Sequence, residues 1–171
     1  MKNNIKIIGG ANQSSTTYVE TFYKNLGVKK LIKTNDIEAE LIKLTENSFR
    51  DTSIAFANEI SSISEKYNVD AKKIIRLANT HPRVAIPFPG IGVGGHCIPV
   101  DPYFLIDKKY KSNLIKISRK INDSRPKIIA KKIINLSNSF RAKFKKSPKI
   151  LLLGKSYKAN IDDIRNSPAI E

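Results

Sequence analysis

Two rhythms of apolar and polar positions divide the chain. At its start Ile5, Ile7 and Ile8 form a brief apolar run closed by Gly9-Gly10, which predicts a short strand. Val19, Phe22, Tyr23 and Leu26 then recur at i, i+3, i+4 and i+7, the spacing of one helix face. Ser14 and Ser15 can cap that helix and Gly27 can stop it. Leu31 and Ile32 mark a second short strand. A strand, a helix and a strand bury too little surface to stand alone, so this opening reads as the tail of a larger α/β domain.

From Asn35 the rhythm turns helical for a long stretch. Asn35 followed by Glu38 has capping-box spacing, and Asp36, Glu38 and Glu40 suit the positive end of a helix dipole. No Gly or Pro intervenes until beyond Tyr67, which predicts a helix of about 30 residues, ~45 Å long. Leu41, Leu44, Ser48, Ala55, Ile60 and Ile63 are its candidate packing positions, and so long a helix is expected to form an interface. Asp70 caps a second helix reaching about Ala78. Residues 114–121 and 126–140 read as two more, with Pro126 tolerated in a first turn. Ser147-Pro148 breaks the chain, and the apolar run at 149–154 reads as a fully buried strand opening a new α/β unit. The expected fold is mainly α, with a central helical domain over 34–146 flanked by partial α/β domains at 1–33 and 147–171.

Composition narrows the function classes. The net charge of +16 invites a nucleic-acid reading, but the lysines run from end to end without gathering in one stripe, so no nucleic-acid partner is expected. A single cysteine excludes an internal disulfide framework and a cysteine-rich metal site, so no metal is expected, and it suits a reducing cytoplasm. No apolar run approaches the ~20 residues that span a bilayer, so no membrane association is expected.

That one cysteine closes the most unusual segment, Pro87-Phe88-Pro89-Gly90-Ile91-Gly92-Val93-Gly94-Gly95-His96-Cys97. Glycines leave the main chain bare enough for a close neighbour, and the flanking prolines exclude a regular helix or central strand. Gly90, Gly92 and Gly95 also spell the dinucleotide fingerprint, but no strand precedes them and no helix opens at the last glycine. Gly154-Lys155-Ser156 imitates the end of a phosphate loop without the glycine that should come five residues earlier. A lone cysteine is often only a small buried hydrophobe; presented on such a loop, Cys97 is better suited to chemistry.

Other candidates are weaker alone. Lys43, Asn47 and Arg50 share one face of the long helix at i, i+4 and i+7, where a solvated polar stripe is the plainer alternative. His81 and Arg83 precede the glycine loop, and Asp101 follows Cys97 by four residues, placed to serve a site or to cap the turn at Pro102. Lys158 and Arg165 bracket Ile161-Asp162-Asp163-Ile164 beyond the last apolar run.

The runs Glu40-Leu41-Ile42-Lys43-Leu44-Thr45-Glu46-Asn47-Ser48-Phe49-Arg50-Asp51, Ala57-Asn58-Glu59, Arg76-Leu77-Ala78-Asn79, His81-Pro82-Arg83-Val84, Gly92-Val93-Gly94-Gly95-His96-Cys97 and 160–169 together resemble the UDP-glucose/GDP-mannose dehydrogenases. The resemblance implies two successive NAD-dependent oxidations of a nucleotide sugar at C6, and a uronate product used for cell-surface polysaccharide. It is nearest to members acting on UDP-N-acetyl-D-mannosamine; Val100 stands where the glucose-specific branch carries lysine. It implies that Cys97 forms a thiohemiacetal and then a thioester, with Lys43 as proton donor and acceptor and with Asn47 and Asp101 assisting. Arg50, His81, Arg83 and Gly94 would hold the sugar and pyrophosphate, Tyr157 and Lys158 the nucleotide, and Arg165 the NAD. It further implies a homodimer through the central helical domain. By the same likeness, residues 1–33 correspond to the end of an NAD-binding domain and 147–171 to the start of a UDP-binding one. The chain is accordingly expected to be a fragment inactive by itself, or else a non-catalytic dimerisation module needing a separate NAD-binding partner.

Overall fold

A computed structural model describes residues 5–106 and 112–170. The chain divides into two compact units between residues 46 and 47. In the first, strands β1 (Lys6–Gly10) and β2 (Leu31–Asn35) pair in parallel, Ile8 opposite Lys33, joined by helix α1 (Gln13–Asn25). Ile8 and Val28 are its buried apolar residues. The cap of α1 is Asn12, not Ser14 or Ser15: its Oδ1 accepts from the Ser15 N–H at 2.9 Å and the Ser15 hydroxyl at 2.6 Å. Asn reaches the third helical amide as well as Ser does, so the helix starts a turn earlier than the serines suggest. Its end is as expected: Gly27 adopts φ +79°, the Val28 N–H donates to the Tyr23 carbonyl at 3.1 Å, and the Gly27 N–H donates to that of Lys24 at 2.9 Å.

Helix α2 (Asp36–Lys66) begins where the capping spacing placed it, with Asn35 Oδ1 accepting from the Glu38 N–H at 2.8 Å. It closes on Asn68 at φ 54°, the Val69 N–H donating to the Ser64 carbonyl at 3.0 Å. In the second unit follow α3 (Ala71–Ala78), capped by Asp70, an irregular stretch, a 3-10 turn at Asp101–Leu105 and α4 (Asn113–Phe144).

Two expectations change here. Helix α4 is continuous for 32 residues with Pro126 inside it. Proline removes one ladder bond, but Arg119, Asn122 and Arg125 in the preceding turns are tied to α2 side chains, which hold the backbone helical through it. Residues 149–154 form no strand; Leu151 and Leu153 are 80% and 82% exposed. A parallel strand needs a ladder neighbour, and none among the described residues pairs with this one.

The faces that α2 and α4 bury are polar. Asn47, Ser48, Asp51, Asn58, Ser61 and Ser64 are buried on α2, and Ser118, Arg119, Asn122 and Arg125 on α4. Of the expected packing positions, Ser48 and Ala55 are buried, whereas Leu41 and Ile63 stay about half exposed. No described helix is long and apolar enough to cross a membrane.

Candidate active site

The glycine loop is pinned before it reaches the thiol. Asn79 clasps Ile86, accepting from its N–H at 2.8 Å and donating to its carbonyl at 2.9 Å. Four residues on, the Gly90 N–H donates to Asn58 Oδ1 at 2.9 Å and the Gly90 carbonyl accepts from Arg125 Nε at 3.2 Å. Gly92 and Gly95 take φ +145° and +90°, values side chains rarely permit. Cys97 then stands exposed, as a free thiol. Its carbonyl accepts from the N–H of Val100 at 3.0 Å and of Asp101 at 2.8 Å, so thiol and carboxylate belong to one tight turn. Asn47, only 4% exposed, donates its Nδ2 to Asp101 Oδ2 and ties that turn to α2.

The structure therefore joins Cys97, Asp101 and Asn47. Lys43 stands one turn before Asn47 on α2 and belongs to the first unit. Arg50 lines a separate groove of about 370 Å³ with Phe49, Ser53, Asn79, Ile86 and Pro87. His81 and Arg83 are exposed on the turn after α3, the Arg83 N–H donating to His81 Nδ1 at 3.3 Å.

The bare main chain at 92–95 receives the chain's own tail. A Cβ on Gly94 would overlap Tyr157 Cβ and lie 2.6 Å from the Asn166 carbonyl; one on Gly95 would lie 2.9 Å from the Tyr157 ring. Asn166 Nδ2 donates to the Gly95 carbonyl at 3.2 Å. Tyr157 is thus brought to Gly94, while Lys158 is exposed. Arg165 forks onto Asp163 through Nε at 2.9 Å and Nη2 at 2.7 Å. These bonds, with one from the Arg165 N–H, hold the Asp163 carboxyl down at about 2 and push the Arg165 guanidinium up.

One constellation was not anticipated from sequence. Asp51 Oδ1 accepts from Arg119 Nη1 at 2.5 Å and Asn122 Nδ2 at 2.8 Å; Asn122 Oδ1 accepts from Asn58 Nδ2 at 3.0 Å. Arg125 donates to Ser62 Oγ at 3.1 Å and Ser61 Oγ at 3.3 Å. Burial pushes the Asp51 carboxyl up against the pull of Arg119, and burial lowers Arg125. The only signal in the sequence is polar residues at helical spacing, which a solvated face gives equally.

Gly9 and Gly10 close on their own chain, since a Cβ at Gly9 would overlap the Asn35 carbonyl and one at Gly10 would lie 2.8 Å from Ser15 Cβ. The Arg165 fork is engaged by Asp163.

The described residues thus present an exposed thiol on a glycine loop, on a turn whose carboxylate is bonded to a buried amide of the long helix. The chain belongs to the UDP-glucose/GDP-mannose dehydrogenase family, whose central domain matches residues 37–124. It is 44% identical to UDP-N-acetyl-D-mannosamine dehydrogenase of Campylobacter jejuni over 98% of its length, which is 40% of that protein. An NDP-N-acetyl-D-galactosaminuronic acid dehydrogenase of Ralstonia nicotianae is also 44% identical, with 98% of this chain and 39% of that protein covered. The solved UDP-N-acetyl-D-mannosamine dehydrogenase of Pyrococcus horikoshii superposes with a TM-score of 0.84 at 42% identity, covering 98% of this chain and 40% of that one. The chain thus spans about 40% of the length of these relatives.

Proposed function

We propose that this chain carries the thiol-bearing, sugar-holding part of an NAD-dependent nucleotide-sugar 6-dehydrogenase acting on UDP-N-acetyl-D-mannosamine. The observation that carries this reading is the exposed Cys97 on a turn whose Asp101 is bonded to buried Asn47. The Cys97 thiolate attacks the C6 aldehyde carbon; the S–C bond forms and the carbonyl electron pair moves onto oxygen, giving a thiohemiacetal. Asn47 and Lys43, one turn apart on α2, supply a hydrogen bond and a proton to that oxygen. The two-electron oxidation separating this adduct from a thioester is assigned to no residue of this chain. Once a thioester exists, water oriented by Asp101 adds to its carbon, the C–S bond breaks, and Cys97 regains its proton as the uronate leaves.

Arg50, His81, Arg83, Gly94, Tyr157 and Lys158 are assigned to sugar, pyrophosphate and nucleotide, and Arg165 to NAD, on the family resemblance. So is the division into an NAD-domain end (1–33), a central domain (34–146) and a UDP-domain start (147–171). The setting proposed is the cytoplasm. The test is product analysis with UDP-N-acetyl-D-mannosamine and NAD supplied to the chain completed by the missing domains of a full-length relative. Uronate from the native protein and none from Cys97→Ser supports the reading; equal uronate from both overturns it. A second reading, a dimerisation module without turnover, is favoured by the open apolar face of α2, where Phe49 and Phe56 are 72% and 48% exposed. Self-association with no product would support it.

A further inference from the structure

We propose that Asn58 and Arg125 are positioning residues for the thiol loop, together holding the Gly90 peptide so that the chain leaves it in one direction toward Cys97. The proposal rests on the reading of Cys97 as the reactive group. At Gly90 both backbone polar groups are taken by side chains: its N–H by Asn58 on α2 and its carbonyl by Arg125 on α4. Both side chains are buried, Asn58 at 0% and Arg125 at 4% exposure. Neither is free to turn. Asn58 donates its amide to Asn122 Oδ1, and Asn122 in turn donates to both the side chain and the carbonyl of Asp51. Arg125 is held further by Nη1 donating to Ser62 and Nη2 donating to Ser61.

Gly90 lies between two other ties, the Asn79 clasp on Ile86 and the bond from Asn166 Nδ2 to the Gly95 carbonyl, and it alone of the three is held by both long helices. Residues 84–100 contain no helix or strand, and Gly92 and Gly95 sit at positive φ with no side chain to limit them. The anchor at Gly90 sets the direction in which the chain leaves the two long helices. The Asn47–Asp101 bond fixes the far end of the same segment. Between the two anchors lie ten residues, Ile91 to Val100, with Cys97 among them. The tail bond at Gly95 lies between these anchors, and loosening the Gly90 one is expected to widen the range of positions open to the thiol.

The test is amide hydrogen exchange by mass spectrometry on the full chain, comparing native protein with Asn58→Ala and with Arg125→Lys, which keeps the charge but loses the fork. A roughly five- to tenfold faster exchange in peptides covering 87–100, with α1 and the distal half of α4 unchanged, is expected from losing one buried hydrogen bond. Unchanged loop exchange in both variants overturns the proposal. So does acceleration spread evenly over the helices, which would make these residues ties between helices only. Should Asn58→Ala not fold, Arg125→Lys decides alone. The alkylation rate of Cys97, the sole cysteine, is read alongside and should rise with loop exchange. Failure of the Cys97 reading shows separately, as uronate formation surviving Cys97→Ser.

Discussion

Asn47 is an amide on a 31-residue helix, where such side chains ordinarily turn to water, yet it is buried and donates to Asp101. The bond ties the turn that carries Cys97 and Asp101 to the long helix. Asp163 shows the opposite economy: an exposed arginine fork holds its carboxyl at about 2, against an ordinary 3.8. A depressed folded value means the contact is complete above the unfolded value and is lost only as pH falls through about 2. Carboxyl NMR should therefore give Asp163 a midpoint near 2, moving to the ordinary range in Arg165→Ala; a native midpoint near 3.8 would show that the fork does not persist in solution.

At the scale of elements, the glycine loop and the tail form one interlocked piece. Adding a methyl at Gly94 overlaps Tyr157 and crowds Asn166, so Gly94→Ala should cost about 1–3 kcal/mol in urea unfolding and free residues 157–168 to exchange. No change in either would mean the tail lies elsewhere in solution. The bounds of α2 and α3 were legible because Asn35 and Asp70 cap them in ways any sequence displays. So was the irregular loop, whose prolines and glycines admit little else. The continuity of α4 was not, because the side chains that carry it through Pro126 are anchored on α2, 63 to 71 residues earlier. Nor was the inversion of α2: hydrophobic spacing assumes that apolar residues face inward, and here Asp51, Asn58 and Ser61 do. Of the candidate site, Cys97, Asn47 and Asp101 could be named from motif likeness, but the Asn58 and Arg125 anchors needed coordinates.

Across the described residues many large apolar side chains are exposed. Phe49, Phe56 and Ile63 recur every seven residues on α2, a spacing that drifts only ~20° per step and so keeps one face. Exposed apolar residues at that spacing suit a second copy of the chain, the homodimer that the family resemblance implies. Sedimentation should show a dimer that Phe56→Glu converts to monomer with its helical circular dichroism retained; a native protein monomeric at every concentration would refute the assignment. The central claim remains the chemistry of one sulfur. Its most direct measurement is the rate at which iodoacetamide alkylates Cys97 in the presence and absence of the C6 aldehyde of UDP-N-acetyl-D-mannosamine, followed by intact mass. The account expects the aldehyde to protect the thiol saturably, with protection weakened in Asn47→Ala; alkylation at the same rate with and without the aldehyde would contradict it.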